Sequence, residues 1–404
     1  MATQTFGVKR ATVEPATAEA QSSVSARLWY LDNLRTAVIT LVVLGHLAVS
    51  YGAAGDWYLR GEGETSPLVY ILMLPLMAIG ASFMMGLLFL IAGYFTPRSY
   101  DRKGAGPFLV DRLKRLGIPL AFFAVVINPL NEYLVMTHTG AFQGSYWSFL
   151  QAYVGNLDSL GVGIMWFVEA LLIFCIFYAL WRWLTRSAPP QNPAAGLGEA
   201  PTNKAIALFA LGLGVVTFLA RFWAPVNKYF EPEHLEFAHF PQYIALFIVG
   251  IVAYRRNWLA VFSDAQARVW RWIAVVCVLL LPVLVVAAGA LTGTLDERGA
   301  GGLNWLSLAY SVWEGFMCLA MVITVLAWFR KRFNQQGRLA KAMSESSFAV
   351  YVLHPIIIVP LALALSGIPM NSTLKFILVA PMAIALCYVI AYYLRKLPYV
   401  KSVL

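Results

Sequence analysis

The stretch YLDNLRTAVITLVVLGHLAVSY, from Tyr30 to Tyr51, decides the fold. It is suited to a membrane helix, because about 20 apolar helical residues cross a hydrocarbon core about 30 Å thick. Asp32 lies near its start, and two ionisable side chains, Arg35 and His46, nevertheless lie further within it. Each costs at least about 2.5–3.5 kcal/mol at the centre of a membrane helix, so each needs a physical reason. The stretch therefore predicts a membrane helix with a function in its interior.

Comparable stretches recur through all 404 residues. Apolar residues make up 60% of the chain and charged residues 12%, too few charges to cover the surface of a soluble enzyme. We predict an all-α, polytopic integral membrane protein with about ten transmembrane helices. The predicted spans are 31–51, 68–95, 116–136, 163–183, 205–222, 239–254, 272–292, 305–329, 347–366 and 373–394.

Lysine and arginine concentrate in every second connecting segment. Of the 30 such residues, all but five fall on the side of the N-terminus. Cytoplasmic segments of membrane proteins are enriched in these residues, so we expect both termini to be cytoplasmic. The net charge of +10 then reflects orientation in the bilayer, and we expect no nucleic-acid partner. The five residues on the opposite side are Arg60, Arg221, Lys228, Arg298 and Lys375.

The chain is predicted to form one domain behind a short tail. Residues 1–26 lack the apolar core of a signal peptide, and we expect a disordered cytoplasmic tail there. Residues 27–404 form the predicted transmembrane domain, with a proline- and alanine-rich linker at 187–203. The four cysteines lie in apolar segments without metal-ligand spacing, so we expect buried hydrophobes and no metal. Oligomeric state stays open.

Arg35 and His46 are related by helix geometry. Eleven residues at about 100° each end about 20° from three full turns, so both side chains share one face. Their separation along the axis is about 16.5 Å. This arrangement suits a long substrate whose anionic head stays near the cytoplasm while its reactive end reaches His46. Alternatively, Arg35 extends to the headgroups and pairs with Asp32, and His46 is a neutral group bonded to a neighbouring helix.

Further ionisable side chains at membrane depth are Glu132, Glu169, Glu314 and His354. They could line a polar cavity together with His46, or serve only to hold helices together. A carboxylate, from either Glu169 or Glu314, could orient the imidazole of His46, as in a catalytic triad. Other polar groups suited to this cavity, including candidate oxyanion donors, are Asn128, Gln242 and Tyr243.

A basic loop is predicted between the second and third spans, with the sequence PRSYDRKGAGPFLVDRLKRLGIP from Pro97 to Pro119. Arg112 and Arg115 are three residues apart, so they share a face of any helix formed there. Planar guanidinium groups, to which Arg98 adds a third, suit bidentate phosphate binding. The general enrichment of cytoplasmic segments in positive charge offers a simpler explanation.

Several segments resemble, in order, those of the membrane-bound acyltransferase 3 family, which includes polysaccharide O-acetyltransferases and a glucan succinyltransferase. Arg35 and His46 match its Arg-x10-His motif, and Arg112 and Arg115 match its Arg-x-x-Arg motif. The remaining similar segments are FLIAGYFTPRS (89–99), MWFVEALLIF (165–174), FPQYIALFIVGIVAY (240–254) and FAVYVLHPIII (348–358). The resemblance covers about residues 27–395, as a stand-alone acyltransferase domain.

The resemblance implies transfer of an acyl group from cytoplasmic acyl-CoA to a hydroxyl, often of a sugar at the outer face. Acetyl-CoA or succinyl-CoA is then the co-substrate, and a carbohydrate or glycolipid is the acceptor. His46 would be catalytic, with Arg35 at the mouth of the cavity, and Arg35, Arg98, Arg112 and Arg115 would bind the donor. The expected location is the cytoplasmic (inner) membrane of a bacterium. The alternative is a transporter or flippase for a lipid-linked or acylated sugar, which also uses intramembrane charges.

Overall fold

The computed structural model describes residues 28–53, 55–59, 67–155, 161–185, 199–230, 235–289 and 299–404. Ten helices in these ranges are long and apolar enough to cross a membrane. The same ranges contain no β-strand, only an isolated bridge between Phe230 and Leu235. The prediction of an all-α protein with ten membrane helices is confirmed. The predicted tail, residues 1–26, lies outside the described residues.

Eleven helices organise the described chain, and all except the short α4 are long enough to span a membrane. They are α1 (Trp29–Ser50), α2 (Pro67–Lys103), α3 (Ala105–His138), α4 (Tyr146–Gly155), α5 (Trp166–Leu184), α6 (Asn203–Trp223), α7 (Phe240–Arg255), α8 (Asp264–Ala287), α9 (Trp305–Arg332), α10 (Arg338–Ala364) and α11 (Ser372–Leu394).

The basic stretch after the second span differs from the predicted loop. Pro97 lies inside α2, and α3 begins at Ala105, so most of the stretch is helical. Gly104 makes the turn between them with a φ of 76°, a conformation that costs glycine little because it lacks a Cβ. Two π-helical segments, Leu113–Gly117 and Phe123–Ile127, then interrupt α3. Such segments change the direction in which the following side chains project.

The even number of spanning helices places Leu28 and Leu404 at the same end of the bundle. We call this the basic end, and we call the opposite end, where α1 stops at Ser50, the far end. Lysine and arginine occur in the last turns of α2, α5, α7 and α9, which all finish at the basic end. The helices thus carry most of the described positive charge at one end.

Helices α2 and α7 approach each other through glycine. A Cβ on Gly250 would meet the carbonyl oxygen of Leu90 and lie 2.8 Å from the backbone nitrogen of Tyr94, both in α2. A Cβ on Gly93 would likewise meet the carbonyl oxygen of Phe247 in α7. Small residues favour this packing in membranes, where van der Waals contact replaces the hydrophobic effect between helices.

We expect Gly250→Leu to destabilise the protein, because its side chain must push two backbones apart. Overpacking of this kind costs about 1–3 kcal/mol or more. Gly212→Leu is the matched control, because a Cβ at Gly212 meets no atom within 4 Å. The melting temperatures of both variants are measured by heating the detergent-solubilised protein and quantifying the remaining folded fraction by size-exclusion chromatography. Equal melting temperatures for the two variants would contradict the proposed close contact.

Candidate active site

His46 lies near the far end of α1 and forms a side-chain pair with His354 of α10. Nδ1 of His46 is 2.9 Å from Nε2 of His354. The two ring planes differ by only 2°. His354 is fully buried, whereas His46 is partly accessible. The contact therefore joins two spanning helices through imidazoles, one of which faces open space.

Pro355 explains which nitrogen of His354 carries a proton. Proline has no N–H, so the carbonyl of Tyr351, four residues earlier, lacks its usual helical donor. Nδ1 of His354 lies 2.8 Å from that carbonyl oxygen. Because a carbonyl only accepts hydrogen bonds, Nδ1 must donate. In the neutral pair, Nε2 of His354 then accepts from Nδ1 of His46, and Nε2 of His46 is left with a free lone pair.

Trp57 covers the imidazole pair. After α1 the chain turns at Gly52, which has a φ of 102°. This turn leaves the indole of Trp57 at the far end of the bundle. The indole stacks on His46 at 4.3 Å between centroids and on His354 at 5.8 Å. Its Nε1–H is buried without a hydrogen-bond acceptor among the described residues. An N–H donor is thus available beside His46.

A cavity of about 490 Å³ opens beside His46 at the far end. Its volume falls in the range of small-molecule sites. The wall combines aromatic rings, carboxyl groups and one amide. The lining residues are His46, Asp56, Trp57, Tyr58, Asn128, Glu132, Gly161, Gly163, Ile164, Trp166, Tyr229, Glu236 and Tyr243.

Asn128 forms hydrogen bonds with several side chains on one side of this cavity. Its Oδ1 accepts a hydrogen bond from the hydroxyl of Tyr58, and its Nδ2 lies 2.9 Å from both Glu132 and the hydroxyl of Tyr153. Tyr153 lies in α4, outside the spanning helices, and burial raises its pKa to about 12, so the hydroxyl stays neutral. Both the oxygen and the nitrogen of the Asn128 amide are therefore used in hydrogen bonds within the cavity wall. This argues against its predicted role as an oxyanion donor.

The two predicted cavity residues of α7, Tyr243 and Gln242, face different neighbours in the structure. Tyr243 lines the cavity, where its ring stacks with that of Trp166 at 5.3 Å between centroids. Gln242 instead donates from Nε2 to the carbonyl oxygen of Ser82 in α2, at 2.7 Å. Since neighbouring residues of a helix project about 100° apart, only one of the two faces the cavity. Gln242 therefore joins α7 to α2 and is not a cavity residue.

The structure does not place Glu314 beside His46, which corrects the prediction of a carboxylate partner from this residue. The buried Glu314 of α9 forms an ion pair with Arg221 of α6. Its other oxygen lies 2.7 Å from Nδ1 of His239, just before α7. Depth in the membrane could not reveal this, because depth does not specify which side chains of the neighbouring helices a residue faces.

Glu169 is partly buried in the first turn of α5, three residues after the cavity-lining Trp166. It is not among the cavity-lining side chains. The observed ring partner of His46 is His354, so an imidazole occupies the place that we predicted for a carboxylate. The sequence signal for this arrangement was the dipeptide His354-Pro355.

Arg35 lies on α1 near the basic end. Its Nη2 donates to the carbonyl oxygen of Ser344 at 3.3 Å and lies 3.6 Å from Asp32, the pairing considered from the sequence. Ile39 and Val42 occupy the same face of α1 between Arg35 and His46, and both are buried. This face is therefore packed against protein and does not form an open channel between the two groups.

The three other predicted donor-binding arginines also lie at the basic end. Arg98 is exposed near the end of α2. In α3, the guanidinium of Arg112 lies 5.1 Å from the centre of the Phe108 ring, and Nε of Arg115 lies 3.2 Å from Asp111. The Arg115 side chain is 60% exposed, so its outer nitrogens are accessible to an anion.

Neither cysteine nor metal chemistry is indicated in the described ranges. All four cysteines are buried and free. Among the described residues, no three or more His, Cys, Asp or Glu side chains lie close enough together to hold a metal ion. Most of the lining residues that sequence reasoning missed lie in loops and short segments, among them Asp56, Trp57, Tyr58 and Tyr229. No helical periodicity marks such positions, and only the folded chain brings them to His46.

The sequence matches a known protein family over most of its length. A family model described as an acyltransferase domain matches residues 28–392. The chain belongs to the acyltransferase 3 family. It is similar to glucans biosynthesis protein C of Salmonella schwarzengrund (strain CVM19633), with 22% identity over 343 residues, 83% of this chain and 84% of the relative. The protein of the same name from Salmonella paratyphi B is 22% identical over 342 residues.

We expect Pro355→Ala to lower the turnover of this membrane acyltransferase. The alanine N–H competes with Nδ1 of His354 for the Tyr351 carbonyl, and so weakens the tautomer that leaves His46 a free lone pair. A loss of about tenfold in kcat, little change in KM, and a matching loss in His354→Leu are expected. Pro360→Ala, elsewhere in α10, is the control. Unchanged kcat in both His354→Leu and Pro355→Ala would exclude the pair from the mechanism.

Proposed function

We propose that the protein transfers an acyl group from cytoplasmic acyl-CoA to a hydroxyl group of a carbohydrate-type acceptor, with His46 as general base. The observation that carries this proposal is the His46–His354 pair beside the far-end cavity, on the same helix face as Arg35. Membership of the acyltransferase 3 family supports acyl transfer. The donor, the acceptor and the residue roles are the proposal.

In the proposed reaction His46 carries one proton in two transfers, from the acceptor hydroxyl to the leaving sulfur, while the acyl carbon exchanges sulfur for oxygen. Nε2 of His46 removes the proton of the acceptor hydroxyl as its oxygen attacks the thioester carbonyl. A C–O bond forms and the C–S bond breaks, and the departing sulfur receives the proton from His46 to give free CoA. His354 fixes the tautomer of His46 and accepts its Nδ1–H throughout, the role that a carboxylate has in a triad. A direct transfer needs no acyl-enzyme on His46.

The oxyanion of the tetrahedral intermediate needs a donor close to His46. Trp57 supplies a buried N–H next to the imidazole that no described acceptor uses. Buried donors aimed at developing charge are effective because little reorganisation is needed during reaction. We therefore assign this role to Trp57 in preference to Asn128, whose amide is occupied by the cavity wall.

The donor would bind at the basic end through its phosphates. Arg35, Arg98, Arg112 and Arg115 provide four guanidinium groups there, suited to bidentate contact with phosphate oxygens. The basic end would face the cytoplasm, in accordance with the positive charge of its segments. The acyl arm would pass between α1 and its neighbours, displacing packed side chains such as Ile39 and Val42. Binding energy of the nucleotide would offset that rearrangement.

The acceptor would bind in the far-end cavity. Aromatic rings such as Trp57 and Trp166 offer flat apolar faces, and the carboxyl groups offer acceptors for hydroxyl protons. The names of the Salmonella relatives refer to glucans, which supports a carbohydrate acceptor. We propose the cytoplasmic (inner) membrane of a bacterium as the location, with O-acetylation or O-succinylation of an envelope carbohydrate as the outcome.

We expect His46→Ala to lower the rate of acyl transfer about 10²- to 10⁴-fold, the usual contribution of a general base. The measurement uses membranes containing the protein, labelled acetyl-CoA and detection of label in the acceptor fraction. His138→Ala is the control, because His138 lies at the end of α3 and outside the cavity lining. Undiminished transfer in His46→Ala would remove the base from the mechanism.

We expect the double substitution Arg112→Ala and Arg115→Ala to weaken CoA binding about tenfold or more and to reduce its dependence on salt. The control is Arg268→Ala with Arg271→Ala in α8, an exposed pair with the same spacing at the same end. Titration calorimetry of the purified protein with CoA at two salt concentrations measures both. Equal affinities in the two double variants would exclude a specific donor site on α3.

A transporter or flippase is the alternative activity. The buried contacts among Arg221, His239 and Glu314 are of a kind that proton-coupled transporters use. These groups nevertheless join α6, α7 and α9 at the far end, and hydrogen bonding to each other gives them a structural role. A transporter would neither bind CoA in the titration above nor release free CoA from acyl-CoA.

A further inference from the structure

A second cavity, of about 450 Å³, lies where α6, α7 and α9 meet. We call it the lateral groove. Its lining includes Phe209 and Ile248, which are exposed on the outside of the bundle, and also Leu246 and Leu319, which are buried. The groove therefore extends from the lipid-facing surface into the protein. Every membrane helix bundle meets lipid on its outside, but a lipid chain in this groove would be enclosed by protein.

The lateral groove has the length of an acyl chain in one leaflet. Along α9 its lining extends from Arg330, at the basic end, to Leu319, a distance of about 16.5 Å at the rise of an α-helix. About one turn beyond Leu319, a Cβ on Gly315 would lie 2.5 Å from the carbonyl oxygen of Ala210, so α6 and α9 are in direct contact there. The groove thus ends near the middle of the bundle, and its length is close to half of a hydrocarbon core, about 15 Å.

A guanidinium group is fixed at the basic end of the lateral groove. Nη1 and Nη2 of Arg330 donate to the carbonyl oxygens of Leu259 and Phe262, at 3.0 and 2.9 Å. These two residues belong to the short helix Trp258–Val261 and the residue that follows it. The carbonyls carry no net charge, and the nearest printed carboxylate, that of Asp264, lies 3.7 Å from Nη2 and is 70% exposed. The positive charge of Arg330 is therefore held at the mouth of the groove.

Other groups beside the mouth suit a phosphate-containing headgroup. Arg256 is exposed two residues before Trp258, and Lys331, next to Arg330, is 72% exposed. Together with Arg330 these cations outnumber the single carboxylate of Asp264, and such an excess of positive charge attracts anionic lipids. The Nε1–H of Trp258, which lines the groove, is buried without an acceptor among the described residues. Tryptophan is common at this depth because its ring packs on lipid chains while its N–H reaches headgroup oxygens.

We infer that the lateral groove is a binding site for an anionic phospholipid of the leaflet at the basic end. One acyl chain lies between α6, α7 and α9, and the phosphate lies at Arg330. A guanidinium has more N–H donors than the two backbone contacts of Arg330 use, so phosphate oxygens can accept from the others. The N–H of Trp258 donates to an oxygen of the headgroup or of an ester. This site is separate from the far-end cavity and does not depend on the proposed acyl transfer.

The experiment titrates the full chain, purified in detergent and freed of lipid, with one lipid at a time and measures bound lipid by native mass spectrometry. Phosphatidylglycerol and phosphatidylcholine with identical chains differ only in the headgroup, which is anionic in the first and zwitterionic in the second. We expect phosphatidylglycerol to bind at least tenfold more tightly. Glycerol 3-phosphate, which lacks the chains, should bind at least tenfold more weakly than phosphatidylglycerol. Equal affinity in either comparison would overturn the inference.

Two variants test the chain site and the headgroup site separately. Ala205→Trp fills the groove from an exposed lining position in the first turn of α6, and we expect at least tenfold weaker binding of phosphatidylglycerol. Its control is Leu279→Trp, at a position of α8 that is 68% exposed and outside the lining. Arg330→Gln should lower the ratio of phosphatidylglycerol to phosphatidylcholine affinity at least fivefold. Its control is Arg268→Gln, on the exposed surface of α8 at the same end.

The outcomes also identify other occupants. Unchanged binding of phosphatidylglycerol in Ala205→Trp would place the lipid outside the groove, and an unchanged affinity ratio in Arg330→Gln would remove the phosphate from Arg330. Either result overturns the inference. Palmitoyl-CoA is a further probe, because a groove that holds the acyl arm of a long-chain donor would bind it more tightly than phosphatidylglycerol and lose it in Ala205→Trp. That result would also overturn the lipid site. An affinity ratio is insensitive to the amount of folded protein.

Discussion

The hydrogen bond between His46 and His354 is the interaction on which the rest of the site depends. In hydrocarbon, an imidazole without a partner is unfavourable, and each ring here satisfies the other. The chain of contacts continues to the Tyr351 carbonyl, which is available because residue 355 is a proline. A helix irregularity in α10 thereby determines the protonation pattern of a side chain in α1. The pair links two helices and also leaves one nitrogen able to accept a proton.

The bundle separates two kinds of electrostatic environment. The basic end carries arginines on α1, α2 and α3, of which Arg115 is largely exposed. The far end presents a cavity whose described lining combines aromatic rings with carboxyl side chains. In the proposed reaction a polyanionic nucleotide would bind at the basic end and a carbohydrate acceptor at the far end, and His46 lies in the wall of the far-end cavity. Because the face of α1 between Arg35 and His46 is buried, the proposed donor would have to displace side chains to reach His46.

Much of the fold was predictable because membrane insertion imposes simple rules. Length, hydropathy and charge asymmetry gave ten spans, and the structure contains ten. The predicted loop after the second span was wrong because hydropathy marks only the apolar part of a helix, and the polar residues between the predicted spans 68–95 and 116–136 are also mostly helical. In the structure α2 continues past Pro97 to Lys103, and Gly104 alone makes the turn. Arg112 ends the first α-helical part of α3 and Arg115 lies in the π-helical segment that follows, so the regular helix spacing behind their predicted shared face does not apply there.

The sequence by itself determined that this chain is a helical membrane protein and that Arg35 and His46 share a face of its first helix. These properties depend on local composition and on the fixed geometry of a helix. Only the tertiary structure decided the partners of each buried group: His354 for His46, Arg221 and His239 for Glu314, and Ser82 for Gln242. The reason is that depth in a membrane follows from position along the chain, whereas the rotation and neighbours of each helix follow from packing among all of them.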